Sequence, residues 1–136
     1  MAQTITIETD VNVSRDKAWE FYTKPEHITQ WNNASPDWEC PRAGNDLKVG
    51  GTFSYRMQAK DGSGGFNFEG TYTEVVPNDR IAYTFGGRKA SVIFETKNGS
   101  THVSVAFEVE KENPIEVQRA GWQAILGSYR RYAERK

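Results

Sequence analysis

The side chains best suited to covalent or metal chemistry are few. His27, His102 and Cys40 are the strongest soft-metal ligands of the chain, and no Cys-x-x-Cys or His-Glu-x-x-His spacing gathers them around one ion. Neither a metal nor any other cofactor is expected. His27 falls on a short polar stretch read as helix, and His102 on the strand face opposite Val103, so both imidazoles are expected to face solvent. Cys40 precedes Pro41 with nothing nearby in sequence to lower its pKa, which is the pattern of an inert thiol. Ser63 sits in Gly62-Ser63-Gly64 without the Gly-x-Ser-x-Gly elbow of hydrolases. The same stretch is no dinucleotide loop, because Asn67 stands where a third glycine is needed. It reads as a hairpin tip.

What remains is a set of aromatic and amide side chains whose chemistry is recognition. Phe53, Tyr55 and Met57 alternate with Ser54, Arg56 and Gln58; Phe68 and Tyr72 lie on one side of the next run, and Tyr83 and Phe85 on one side of the one after. Such alternation marks a buried face, and by itself it does not separate packed core from cavity wall. A buried phenol needs a hydrogen-bond partner. Three tyrosine hydroxyls beside Gln118, at the edge of the last helix, would supply the few oriented polar groups that an apolar pocket uses for specificity. Trp31 and Trp38 flank the short helices and either form the mouth of such a pocket or close the core.

These side chains have to be positioned by strands and one long helix. Residues 4–13 alternate, with Ile5, Ile7, Thr9, Val11 and Val13 on one side, as in a half-buried strand. Ser14 then offers an N-cap hydroxyl for a short helix carrying Ala18, Trp19 and Tyr22. Pro25 suits the first position of a second short helix, in which Ile28 and Trp31 share a face. From about Trp38 to Val109 the period is two. The turn signals Gly50-Gly51, Asp61-Gly62, Pro77-Asn78-Asp79, Gly86-Gly87 and Asn98-Gly99 divide that stretch into antiparallel hairpins, for about seven strands in all. Asn113 as N-cap, Pro114 at the first position and Glu116 three residues after the cap open a helix that runs to the C-terminus. Ile115, Trp122, Leu126, Tyr129 and Ala133 form its apolar stripe, with Ile125 and Gln118 at one edge. The cluster Arg130, Arg131, Arg135 and Lys136 complements its dipole. Gly121 on its flank hints at close approach or motion.

Composition narrows the partners. The chain has 136 residues, one domain's worth, and 17 basic against 18 acidic residues give a net charge of −1. With no basic field to gather phosphates, nucleic acid is not an expected partner. No apolar run approaches the roughly 20 residues of a membrane span, and the N-terminus lacks the shape of a signal peptide. With one cysteine and hence no internal disulfide, a cytoplasmic protein is expected. Mean hydropathy is low at −0.72, but seven Phe, six Tyr and four Trp suffice for a core.

Geometry then argues for a cavity. Seven strands at about 4.8 Å spacing make a sheet nearly 30 Å wide, whereas a helix with its side chains is about 10–12 Å across. A sheet curled around the last helix has more inner wall than that helix covers. Gly70, in a run of large residues, is the expected site of a bend or bulge.

The chain resembles a known family through Ala18-Trp19-Glu20-Phe21-Tyr22, Lys24-Pro25-Glu26-His27 leading to Trp31, and Leu47-Lys48-Val49-Gly50-Gly51-Thr52-Phe53. The resemblance continues through Glu69-Gly70-Thr71-Tyr72-Thr73-Glu74-Val75, Pro77-Asn78-Asp79-Arg80-Ile81-Ala82-Tyr83 and Gly121-Trp122. It is to bacterial proteins similar to the activator of the heat-shock protein ninety ATPase, within the birch-pollen-allergen-like (Bet v 1-like) or START-type superfamily. The resemblance implies an α+β helix-grip fold over residues 1–136, a curved antiparallel sheet wrapped around a long C-terminal helix, with two short helices after strand one. It also implies a hydrophobic cavity and small apolar, lipid-like or polycyclic ligands. It names no reaction, because this fold hosts carriers, cyclases and co-chaperones alike. Ligand binding by Trp31, Phe53, Tyr55, Met57, Phe68, Tyr72, Tyr83, Phe85, Gln118, Trp122, Ile125 and Tyr129 is the leading expectation. A chaperone partner, as for the heat-shock protein activator, and a polyketide-cyclase-like enzyme using tyrosines as general acids are the alternatives.

Overall fold

A computed structural model describes residues 3–136. Strand β1 (Thr4–Val11) is followed by helices α1 (Arg15–Thr23) and α2 (Pro25–Trp31). The chain continues as β2 (Trp38–Asn45), β3 (Thr52–Ala59), β4 (Gly65–Val76), β5 (Arg80–Phe85), β6 (Arg88–Lys97) and β7 (Ser100–Glu108), and ends in α3 (Ile115–Glu134). The strands form one antiparallel sheet in the order β1-β7-β6-β5-β4-β3-β2, a meander whose last strand pairs with the first. The sheet is curled into a half-barrel with α3 in its concavity.

Local sequence accounts for these elements. Between β5 and β6 both Gly86 (φ 54°) and Gly87 (φ 79°) adopt the left-handed conformation, as a two-residue primed turn demands, and Phe85 faces Arg88 directly across it. The inward positions of β7, Val103, Val105 and Phe107, are almost inaccessible, and they meet the inward Ile5 and Ile7 of β1 in register. Helix α3 lays its stripe against this wall. The Trp122 ring stacks on Phe107 at 4.1 Å between centroids, and the Tyr129 hydroxyl donates to the Ala18 carbonyl at 2.7 Å, tying α3 to α1.

Four local expectations are corrected. Helix α3 is capped by Pro114 rather than Asn113. The Asn113 N–H is instead held by the Glu110 carboxylate at 2.7 Å. Ser14 occupies the N-cap of α1, but its hydroxyl donates to the Asp16 carboxylate at 2.5 Å and caps no backbone N–H. Gly70 is not the bulge of β4, which falls between Tyr72 and Glu74; a second irregularity lies between Glu39 and Arg42 of β2. Gly70 serves a close approach: a Cβ there would stand 2.4 Å from the Thr84 carbonyl oxygen and 2.6 Å from the Phe53 ring. Gly121 is no close approach, since its Cβ would meet nothing within 4 Å.

Candidate functional site

The inner wall that α3 leaves uncovered borders a partly open hollow of about 270 Å³. Its floor is the aromatic face of the central strands. The Phe53 ring packs at 5.0–5.6 Å from Tyr55, Phe68, Tyr72 and Tyr83, at centres brought together by the β3–β4–β5 register. Met57 continues the floor along β3. The roof consists of Trp122, Ile125 and Leu126 of α3, with Tyr22 of α1 and Trp31 of α2 closing one side. Phe66 contributes to the lining while 52% exposed, so the cavity meets solvent beside it.

Nine of the residues expected at a binding site therefore line one space: Trp31, Phe53, Tyr55, Met57, Phe68, Tyr72, Tyr83, Trp122 and Ile125. Three do not. Phe85 is buried behind the wall, against Phe68, Tyr83 and Trp122. Tyr129 is spent on the junction of α3 with α1, its ring edge-on to Tyr22 and Trp31. Gln118 points to the β7–α3 loop, where its Nε2 donates to the carbonyls of Asn113 (2.8 Å) and Glu110 (3.0 Å) and its Oε1 accepts from the Glu110 N–H at 2.9 Å. It acts as a loop clamp, with both amide N–H groups spent on loop carbonyls. Of the two flanking tryptophans, Trp31 is buried in the wall with its Nε1 donating to the Phe21 carbonyl, whereas Trp38 packs outside the lining against Phe66.

Tyr22, Asn32 and Arg88 are lining residues that sequence reasoning missed, and Phe66, which alternates onto the same face as Phe68 and Tyr72, lines the cavity without having been expected to bind. Arg88 had a legible signal, because a two-residue turn at Gly86-Gly87 puts it on the same face as the inward Phe85. Tyr22 had only helical spacing from Trp19.

The polar character of the cavity comes from phenols. Burial pushes the Tyr55 and Tyr83 hydroxyls well above their ordinary pKa, and Tyr22 and Tyr72 also upward, so all four remain neutral. Tyr55 and Tyr72 hydroxyls lie 3.5 Å apart, and Asn45 Nδ2 donates to Tyr72 at 3.2 Å and to the Thr23 carbonyl at 2.8 Å. No fully buried side-chain oxygen or nitrogen among the described residues lacks a partner. The Tyr22 and Tyr83 hydroxyls bond no group among the described residues, and both residues line the cavity.

The other chemically capable residues lie elsewhere. His27 does not face solvent: it is wedged between helices, with Nδ1 2.6 Å from the Tyr132 hydroxyl, its ring edge-on to Phe21 and Nε2 3.6 Å from Glu20. The short α2 docks on α1 and α3, which turns its polar face into a helix junction. His102 lies on the convex face between the carboxylates of Asp10 (2.6 Å) and Glu8 (2.9 Å). Burial pushes the Cys40 thiol up to about 11, the state of an unreactive cysteine. Among the described residues no group of three or more His, Cys, Asp or Glu side chains is placed to hold a metal ion. No helix among them is long and apolar enough to cross a membrane.

A half-barrel sheet gripping one long helix over an aromatic cavity, with two short helices after the first strand, defines a helix-grip domain of the START and Bet v 1 type. Residues 12–134 match the family described as Activator of Hsp90 ATPase homolog 1-like protein, and the chain belongs to that family. The AHSA1-like protein from Aeromonas hydrophila is 38% identical, with a TM-score of 0.93 over 98% of this chain and 93% of its own. A protein from Cytophaga hutchinsonii is 46% identical, with a TM-score of 0.84 over 97% of this chain and 92% of its own. A Nitrosomonas europaea protein shares the fold at 17% identity, with a TM-score of 0.83 over 97% of this chain and 94% of its own. None of the curated proteins matches this chain.

Proposed function

We propose that this chain binds a small hydrophobic molecule between its sheet and α3 and performs no reaction on it. The observation that carries this reading is the cavity of about 270 Å³, walled by aromatic rings and dotted with neutral phenol hydroxyls. An apolar cavity of about 150 Å³ already holds a benzene, so the volume suits two fused rings or a short alkyl chain. Affinity comes from desolvated apolar surface, roughly 25 cal/mol per Å² before the cost of association. Orientation comes from the Tyr22 and Tyr83 hydroxyls, which are free to donate. The lining contains no carboxylate or imidazole to take up a proton, which favours holding over a cyclase-like conversion.

Titrating the isotope-labelled protein with a library of aromatic metabolites and short lipids tests this by NMR. Shifts clustered on Phe53, Tyr83, Trp122 and Ile125 are expected for some members. A library without any such response would end the proposal. The family description favours a second reading, interaction with a heat-shock protein ninety chaperone. An unchanged chaperone ATPase rate on addition of the chain would remove it.

A further inference from the structure

Among the described residues, Arg88 is the one member of the cavity lining with a formal charge. The primed turn before it sets its side chain on the inward face beside Phe85, and its guanidinium carbon lies 4.4 Å from the centroid of that ring. Nη1 donates to the Glu108 carbonyl at 3.2 Å. Neither contact neutralises the charge. Elsewhere Arg80, Arg119 and Arg130 meet carboxylates at 2.8, 3.7 and 3.5 Å. The Glu108 carboxylate is engaged by the Lys89 N–H at 2.7 Å. Among the described residues nothing accepts from the Nε–Nη2 edge of Arg88, the edge that takes both oxygens of a carboxylate.

A second polar group lines the same cavity. The Tyr83 hydroxyl bonds no group among the described residues. The β5–β6 register sets Tyr83 opposite Ala90, two residues along from Arg88 on the same inward face, and both side chains line the cavity. A cation and a hydroxyl donor, both unspent, face one apolar space that offers no anion of its own.

We propose that the cavity selects apolar molecules bearing a carboxylate, paired with the Arg88 guanidinium and hydrogen-bonded by the Tyr83 hydroxyl. This rests on the reading of the cavity as a ligand site. A neutral guest of the same shape would leave a partly desolvated cation unpaired, and that cost is what discriminates.

Isothermal titration with 2-naphthoate and with its neutral methyl ester, on the wild-type chain and on Arg88→Gln, tests the proposal. The substitution is expected to weaken naphthoate about tenfold or more, as for loss of a charge-assisted bond. Ester binding should stay within about twofold, which also reports that the variant is folded. Arg88→Lys should recover part of the loss. If R88Q weakens both probes alike, or neither, the carboxylate subsite falls while the cavity reading stands. If neither probe binds the wild-type chain at all, both fall together.

Discussion

Gln118 and His102 each sit where their element places them, yet their partners decide their roles. Gln118 sits at the edge of the α3 stripe, but its amide is turned to the loop that precedes the helix, which takes both its N–H groups. His102 faces outward, and there it is bracketed by two carboxylates. Hydrogen bonds that the imidazole donates to Asp10 first and Glu8 second raise its pKa, and the same bond holds the Asp10 carboxyl below its usual range, with Lys97 assisting. The raised imidazole contributes stability that is fully present below its unfolded value of about 6.5 and is lost as pH rises through the folded pKa. The depressed Asp10 contributes stability that is present above about 3.9 and lost as pH falls through its folded value. The cluster therefore stabilises most in mildly acidic solution. Urea unfolding should show a larger deficit for His102→Gln at about pH 5.5 than at about pH 9. Equal deficits at the two values would show that the charges are not coupled to folding.

At the scale of elements, glycines report which strands and helices lean on one another. Gly70 leaves room for the Phe53 ring, and an added Cβ would also collide with the backbone oxygen of Thr84, which cannot swing aside. Gly70→Ala is expected to cost about 1–3 kcal/mol, the range for overpacking. Gly121 lies in α3 with open space at its Cβ, so Gly121→Ala should stabilise by about 0.5–1 kcal/mol through helix propensity. Opposite signs in thermal unfolding are the expected result; a neutral G70A would mean that β4 and β5 can part without cost. The hairpin turns were legible because left-handed backbone demands Gly or Asn, and the positive angles at Gly50, Gly62, Asn78, Gly86, Gly87, Asn98 and Gly99 fall on the turn signals. The bulge at Thr73 was not, since it carries no such residue and relieves a curvature set by the whole sheet.

On the proposed reading the whole molecule acts as a shell around a ligand space. Ligand occupancy should stabilise it by linkage, about 2.7 kcal/mol at a hundredfold excess over Kd. Ile125 projects from α3 into that space, and Ile125→Trp would occupy part of it. The variant is expected to bind 2-naphthoate at least about tenfold more weakly, with its ligand-free melting temperature within a few degrees of wild type. A large fall in melting temperature would instead mean that the cavity is already filled tightly by its own walls.

The amino-acid order alone determined the strand faces, the turns, the α3 stripe and, through the resemblance, the helix-grip class. It determined them because alternation and left-handed backbone are local properties, written in neighbouring residues. Only the tertiary structure decided which inward rings border empty space. Phe53 and Phe85 share one face of the sheet, yet Phe53 lines the cavity and Phe85 is packed behind it by Trp122. That difference depends on how far the sheet curls and where α3 crosses it, a distance between layers to which a periodicity of two is blind.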